Sequence, residues 1–241
     1  MSTKPYKGMG MEGAVAKWYA GLTRKSLEDF KALARRTAEQ IPPRSRVLEV
    51  APGPGYFAIE LAKLGDYRIT GLDISETFVD IARANAAAAN VRVDFRQGNA
   101  SAMRFPDSRF DFILCRAAFK NFSQPDEALA EMHRVLKPGG RALIIDLRRD
   151  ASSQAVRQSV DAMNLGAVNR IITKLTFRFM LLQRAYTKVE FAELISRTKF
   201  TSAEIEENLT ALEILLTKGE STLYPPFGSL APAPALCYTS E

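Results

Sequence analysis

Glu49-Val50-Ala51-Pro52-Gly53-Pro54-Gly55 is the stretch on which the fold turns. Residues 46–50, just before the turn, read as a short apolar strand with an acid, Glu49, at its end. Residues 56–64, just after it, have helical spacing. A strand, a tight Gly/Pro turn and a helix, in that order, open an α/β unit. Gly53 and Gly55 let the backbone pass close to a ligand with no Cβ in the way. The first turn of the new helix offers unpaired N–H groups to whatever sits there.

Outward from this point the pattern alternates. Residues 67–72 read as a strand, 75–88 as an Ala-rich helix, 91–96 as a third strand and 110–115 as a fourth. A helix at 126–136 and a fifth strand at 141–147 follow. Such alternation predicts a parallel sheet covered on both faces. Its ligands bind beyond the carboxyl ends of the strands, where strand order reverses. Upstream, 24–40 has helical spacing with Leu27, Phe30, Leu33, Ala34 and Ala38 on one side, Thr23 or Ser26 as candidate caps, and Pro42-Pro43 as the stop.

Past the fifth strand the pattern changes. From 151 to 183 only helical spacing occurs, with a stripe of Val168, Ile171, Ile172, Leu175, Phe179 and Leu182 interleaved with Arg170, Lys174, Arg178 and Arg184. We read 151–186 as a helical lid inserted into the sheet domain. Thr187 to Glu190 has capping-box spacing and opens a helix through Phe191, Leu194 and Ile195. Two last strands fall near 201–205 and 212–217. The expected organisation is an N-terminal segment (1–23) covering the site, a main domain (24–218) and a Pro-rich tail (219–241).

Roughly 18 residues after the glycine turn, the second strand ends in Asp73, where a carboxylate can accept hydrogen bonds from both hydroxyls of a ribose. The first half of the chain therefore predicts a nucleoside-bearing cofactor. Gly53-Pro54-Gly55-Tyr56-Phe57-Ala58 also fits the G-x-G-x-x-A dinucleotide pattern. Glu49 opposes that assignment, since a carboxylate before the turn repels a pyrophosphate but suits a cationic, amino-bearing ligand. S-adenosylmethionine carries a sulfonium, an amino group and a ribose, and no phosphate.

These residues resemble class I S-adenosylmethionine-dependent methyltransferases. Glu49 to Gly55 looks like the family's first motif, and Gly71-Leu72-Asp73-Ile74-Ser75 like its ribose-reading segment. Gly98-Asn99-Ala100, with Met103, Phe105-Pro106-Asp107 and Phe110-Asp111, resembles its adenine-reading segment. Cys115 to Phe122 lies where the fourth strand opens onto the substrate, and Arg134-Val135-Leu136-Lys137-Pro138-Gly139-Gly140 resembles the turn before the fifth. The resemblance spans roughly 44–147 and is nearest in pattern to small-molecule enzymes such as those of ubiquinone and menaquinone biosynthesis. It implies a doubly wound, mostly parallel, seven-stranded Rossmann-like sheet with a helical cap. It also implies that Ala51, Pro52, Gly53 and Gly55 line the methionine part of the cofactor, with Glu49 toward its amino end. Asp73 would hold the ribose, Ile74 and Phe78 would flank the adenine, and Gly98, Asn99 and Ala100 would meet its edge. Arg116 and Ala117 would pass near the sulfonium.

Two departures stand out. Asn99 replaces a frequent Asp, and its amide oxygen can still accept a hydrogen bond. Phe119-Lys120-Asn121-Phe122 stands where the family often has histidine, which removes a histidine base from that place. The candidate active-site groups are Lys120, Asn121, Tyr19 and Tyr186. Lys120 reads either as a surface lysine or as a buried base or anion-binding group. Tyr19 belongs, with Trp18, to a segment that often folds over the cofactor in related enzymes. The single histidine, His133, reads as structural, and no His/Cys/Asp cluster has metal spacing, so no metal is expected. Methyl transfer is an in-line displacement that positioning can accelerate strongly. A base is needed only where the nucleophile must lose a proton.

Composition agrees with a globular cytoplasmic protein, at 46% hydrophobic and 25% charged, with two cysteines and no apolar run long enough to cross a bilayer. The net charge of +6 has its excess between Arg134 and Lys188. It reads first as a solvated basic face, then as attraction to an acidic substrate or to an anionic membrane at its surface, and last as nucleic-acid binding. The expected partner is a mid-sized organic substrate, aromatic or lipid-like. Two other classes compete: an NAD(P)-dependent oxidoreductase, opposed by Glu49 and by the lack of a Tyr-x-x-x-Lys pair after the fifth strand, and a non-catalytic cofactor-binding domain.

Overall fold

Seven strands form one sheet in the computed structural model, which describes residues 6–7, 10–161 and 182–219. They are β1 (Arg46–Val50), β2 (Arg68–Asp73), β3 (Asp94–Gln97), β4 (Phe110–Arg116), β5 (Leu136–Leu147), β6 (Ser202–Glu207) and β7 (Ala211–Thr217). Their spatial order is β3-β2-β1-β4-β5-β7-β6. The first five run parallel, and β7 is antiparallel to both of its neighbours. Strand order reverses between β1 and β4, with Val50 in register with Leu72 on one side and Cys115 on the other. The mostly parallel, doubly wound sheet is the architecture expected from the sequence.

Alternating side chains supply both faces of the sheet. Val47, Phe112 and Leu114 bury against α2 (Leu27–Ala38), α3 (Tyr56–Ala62) and α4 (Glu76–Ala88) through Leu33, Phe57 and Val79. Leu48, Val50 and Ile144 bury against α5 (Pro125–Val135) and α7 (Lys188–Ser196) through Leu129, Met132 and Phe191. Asp126 and Glu127 in the first turn of α5, and His133 and Arg134 in its last, complement the helix dipole. The capping box of α7 forms as expected, with Thr187 Oγ1 accepting from Glu190 N and Glu190 Oε2 accepting from Thr187 N.

Several expectations need correction. Neither Thr23 nor Ser26 caps α2: the chain enters it from a 3₁₀ turn at Arg24–Ser26 that is already wound, and Thr23 Oγ1 donates back to Tyr19 O at 2.9 Å. Helix α1 (Gly13–Thr23) lies in the N-terminal segment, where no helix is legible in the sequence. Strand β3 begins at Asp94, after Val91 and Val93 have packed as loop residues. Strand β5 begins at Leu136, with a register shift opposite Phe110 to Phe112 that admits the Lys-Pro-Gly-Gly turn. Of the proposed lid, helix α6 (Ser153–Asp161) and residues from Leu182 onward are described, and Val156 and Val160 pack there with Leu147, Leu182 and Ala185. The rest of the apolar stripe and the tail beyond 219 lie outside the described residues.

Candidate active site

The turn after β1 is held by backbone geometry. Ala51 has φ +55° and donates its N–H to Leu72 O at 2.8 Å, so the ladder runs one residue past the strand before the chain swings away. Gly53 and Gly55 also have positive φ, and Gly55 leads into α3. The two glycines serve different ends. A Cβ on Gly55 would come within 2.6 Å of the Phe95 ring and 3.0 Å of Ala82, so packing inside the protein itself requires a glycine here. A Cβ on Gly53 would meet nothing within 4 Å, so that side of the loop faces open space. Pro52 is buried beneath it.

Two buried carboxylates flank the turn. Asp73 accepts from Ser75 N at 2.9 Å through one oxygen and from Gly53 N at 3.0 Å through the other. Burial pushes its pKa up to about 6, against the pull of those N–H groups. Each oxygen keeps a second lone pair for a ribose hydroxyl. Glu49 accepts from Ala58 N at 3.1 Å. It is 3% exposed, and burial pushes its pKa up to about 8, outweighing the Ala58 N–H and the Arg116 charge. So deep a carboxyl reaches an amino group only through something lying above it.

On the far side of Asp73, Ser75 caps α4 by accepting from Phe78 N. Ile74 is half-buried, and Gln97 donates to its carbonyl. Gly98 donates to Asp73 O at 2.8 Å, which brings the adenine-side loop against the ribose-side one. Asn99 Oδ1 accepts from Ser101 N at 2.9 Å and keeps one lone pair, while Ala100 packs on the core behind it. Phe78 is buried with the Tyr19 ring edge-on to it at 5.9 Å, so α1 packs over this corner. A strap not legible in the sequence completes the cover: Met11 O accepts from Ser75 Oγ, and Glu12 accepts from Glu76 N, Thr77 N and Thr77 Oγ1.

At the end of β4, Arg116 points onto the α2 side and Ala117, with φ +59°, donates to Ile145 O at 2.7 Å. The acceptor-side candidates then diverge. Lys120 is no surface lysine: it is 4% exposed, with Nζ 2.9 Å from Asp146 Oδ1 and 2.6 Å from Ala117 O, and its own N–H bonds to Asp146 Oδ2. Its charge is spent on the protein. Asn121 Oδ1 is buried with no partner among the described residues, while its main-chain oxygen accepts from Lys7 N. Tyr186 packs tilted against Phe119 and edge-on to Phe191, and its hydroxyl accepts a 3.3 Å bond from Lys7 Nζ. His133 lies at the other edge of the sheet, edge-on to Phe200. The buried acid Asp146 was missed in the sequence, where an Asp inside an apolar strand is its only signal.

The sheet order, with the glycine turn and two acids at the reversal, defines a doubly wound α/β domain with the Rossmann-like methyltransferase fold. Residues 47–140 match the family model of the methyltransferase domain. Among curated proteins, that part of the chain is similar to a demethylmenaquinone methyltransferase of Deinococcus radiodurans, 41% identical over 108 residues, or 44% of this chain and 45% of that one. It is also similar to the ubiquinone/menaquinone biosynthesis C-methyltransferase UbiE of a Marinomonas species, 34% identical over 110 residues, or 44% of each chain. The matched segment thus spans less than half the length of these relatives. Among solved structures, a provisionally assigned S-adenosyl-L-methionine-dependent methyltransferase from Methanococcus maripaludis superposes with a TM-score of 0.72 at 20% identity, covering 92% of this chain and 99% of that one. A methyltransferase from Aquifex aeolicus gives 0.61 at 18% identity, covering 84% and 96%. At such identities the superpositions establish the fold.

Proposed function

We propose that this chain transfers a methyl group from S-adenosylmethionine to a small or mid-sized organic acceptor, chiefly by holding the two together and without a histidine base. The observation that carries this is the pair of buried acids beside an open glycine edge. Asp73 is aimed to accept from ribose hydroxyls, and Glu49 sits beneath the place where a cationic ligand would lie and where a pyrophosphate would be repelled. The donor set fits the cofactor, which when bound supplies an electrophilic methyl on a sulfonium. The protein's part is orientation. The turn at Ala51–Gly55 and the extended ladder at Ala117 fix the two sides of the crevice, and Tyr19 with the Met11–Glu12 strap covers the nucleoside side.

The acceptor lies on the β4 side, near Asn121 and Tyr186. Relatives named for menaquinone and ubiquinone synthesis favour an aromatic, quinone-like acceptor. Asn121 Oδ1, buried there without a partner among the described residues, is suited to orient a hydroxyl on the acceptor ring. Lys120 acts as a positioning residue, since it ties Ala117 O to Asp146. We place the protein in the cytoplasm on its cysteine usage. Among the described residues no helix is long and apolar enough to cross a membrane.

Calorimetric titration with S-adenosylmethionine, S-adenosylhomocysteine and NAD tests the cofactor. Micromolar binding of both adenosyl compounds is expected, lost in Asp73→Ala and absent for NAD. Binding of NAD alone would sink the proposal, and adenosyl binding without turnover of any demethylated quinol or phenol would leave a cofactor-binding domain.

A further inference from the structure

The N-terminal segment is tied down at two places on the carboxyl edge of the sheet. At one, Met11 O accepts from Ser75 Oγ and Glu12 accepts from the first turn of α4. At the other, Tyr6 pairs antiparallel with Phe122, and Lys7 N donates to Asn121 O at 2.7 Å. Lys7 and Met11 are so close in sequence that even a fully extended chain keeps their Cα atoms within about 14 Å of each other. Lys7 is therefore held within a small molecule's length of the corner that Met11 covers.

Lys7 meets the chain where it returns to the sheet. Its Nζ donates to the Tyr186 hydroxyl at 3.3 Å and lies 5.3 Å from the centre of that ring. Arg184 Nη1 donates to Lys7 O at 3.4 Å, which brings a second cation against the same residue. Tyr186 is fixed at the carboxyl end of β5, where it bridges Arg148 and its carbonyl accepts from Arg149 N. Lys7, Arg184 and Tyr186 are all half-buried. Among the described residues neither Lys7 nor Arg184 is paired with an acid, because the acids of this region are already engaged: Asp150 and Glu207 by Arg148, and Glu190 by Arg149. Two like charges gathered and partly desolvated repel each other, and an anion between them would turn that repulsion into attraction.

We propose that Lys7 and Arg184 form a carboxylate site for the methyl acceptor, with the Tyr186 hydroxyl beside it. This rests on the methyl-transfer reading above and deepens it by giving the aromatic acceptor an acidic group. The ammonium and the guanidinium each keep N–H donors beyond the bond they already make. A guanidinium fork matches the two oxygens of a carboxylate, and the ammonium adds a point charge from the other side. The Tyr186 hydroxyl, which accepts from Lys7, still has its own proton to donate. Pinning the acceptor by its charged end uses contacts remote from the reacting atom to hold that atom against the methyl donor. One short segment thus serves both substrates, through Lys7 for the acceptor and through Met11 and Glu12 for the nucleoside side.

The test is calorimetry of the full chain saturated with S-adenosylhomocysteine and titrated with 4-hydroxybenzoate or 4-hydroxybenzamide, which match in shape and differ in charge. Wild type is expected to prefer the benzoate by about 10- to 100-fold, the range for charge-assisted hydrogen bonds. Lys7→Gln and Arg184→Gln should each lower benzoate affinity by about 10-fold and leave the benzamide and S-adenosylhomocysteine unchanged. Unchanged S-adenosylhomocysteine binding also shows that the variants are folded. Equal affinities of the two probes in wild type, no binding of the benzoate, or a preference that survives in the double variant would overturn the proposal. A fall in S-adenosylhomocysteine affinity as large as that for the benzoate would make the two cations structural ties and overturn it too. Failure of wild type to bind S-adenosylhomocysteine at all would overturn the methyl-transfer reading, and this carboxylate site with it.

Discussion

Replacing Glu49 with Gln should make the protein more stable at alkaline pH and flatten the dependence of its stability on pH. Folded Glu49 titrates at about 8, against an ordinary 4.5, because burial disfavours its ionised form. Between those two values the folded chain holds a proton that the unfolded chain has lost. Stability therefore falls as pH rises through the window, by ~1.4 kcal/mol for each pH unit and by at most about 5 kcal/mol across it. The loss is complete above the folded value and absent below the unfolded one. Glutamine keeps the oxygen that accepts from Ala58 N and has no proton to lose. Asp73, raised from 3.8 to about 6 by burial, adds a fall of the same sign at lower pH, but it does so in both proteins and cancels from their difference. Urea midpoints at about pH 4.5 and about pH 8.5 supply the assay, with a gain of about 2 kcal/mol or more for the variant expected only at the upper value. A difference between the two proteins that stays constant with pH would refute the reasoning, since it would mean that Glu49 ionises alike in the folded and unfolded chains.

Gly55→Ala should destabilise by about 2–4 kcal/mol in urea unfolding, because a Cβ at φ +80° would be driven into Phe95; a loss under about 0.5 kcal/mol would show that the turn relaxes freely. Lys120→Ala should cost about 3–5 kcal/mol by leaving Asp146 charged and buried without its partner, and Lys120→Met with Asp146→Asn should recover much of it. A stable Lys120→Ala protein with abolished turnover would instead return Lys120 to the chemistry.

The parallel core was legible because a strand buried on both faces must be an apolar run, and β1, β2, β4 and the second half of β5 are such runs between helices of clear period. What escaped depends on partners distant in sequence. Lys120 looks like any loop lysine until Asp146, 26 residues on and in the next strand, is folded against it. The caps proposed for α2 failed for a local reason. A capping side chain needs an extended residue before the helix, but Thr23 has φ −70° and ψ −20°, already helical, and Ser26 has ψ +25°. Gly55 has a second cause hidden from the sequence, since its neighbour across the fold is Phe95 of β3, which no spacing reveals.

The costly features of the molecule gather at one edge. Among the described residues, five other than glycine have positive φ, and Arg44, Asn90 and Ser108 of these sit on exposed turns. The other two, Ala51 and Ala117, are half-buried and directly follow β1 and β4, the strands between which the order reverses. A left-handed alanine costs about 1 kcal/mol or more, and glycine would relieve it. Each alanine nevertheless extends its ladder by one bond, to Leu72 O and Ile145 O, before turning away, which holds the ends of β1 and β4 apart at a fixed width. Glu49 and Asp73, both ionised only against the pull of burial, lie at the ends of β1 and β2 beside the same opening. Apolar residues at 49 and 73 and glycines at 51 and 117 would stabilise the domain and leave it without a crevice of set shape and charge. Local strain and buried charge at the carboxyl ends of the strands are thus what the fold gives up at the proposed cofactor site, while the apolar core and ion pairs such as Arg134–Glu131 and Lys137–Asp111 offset them.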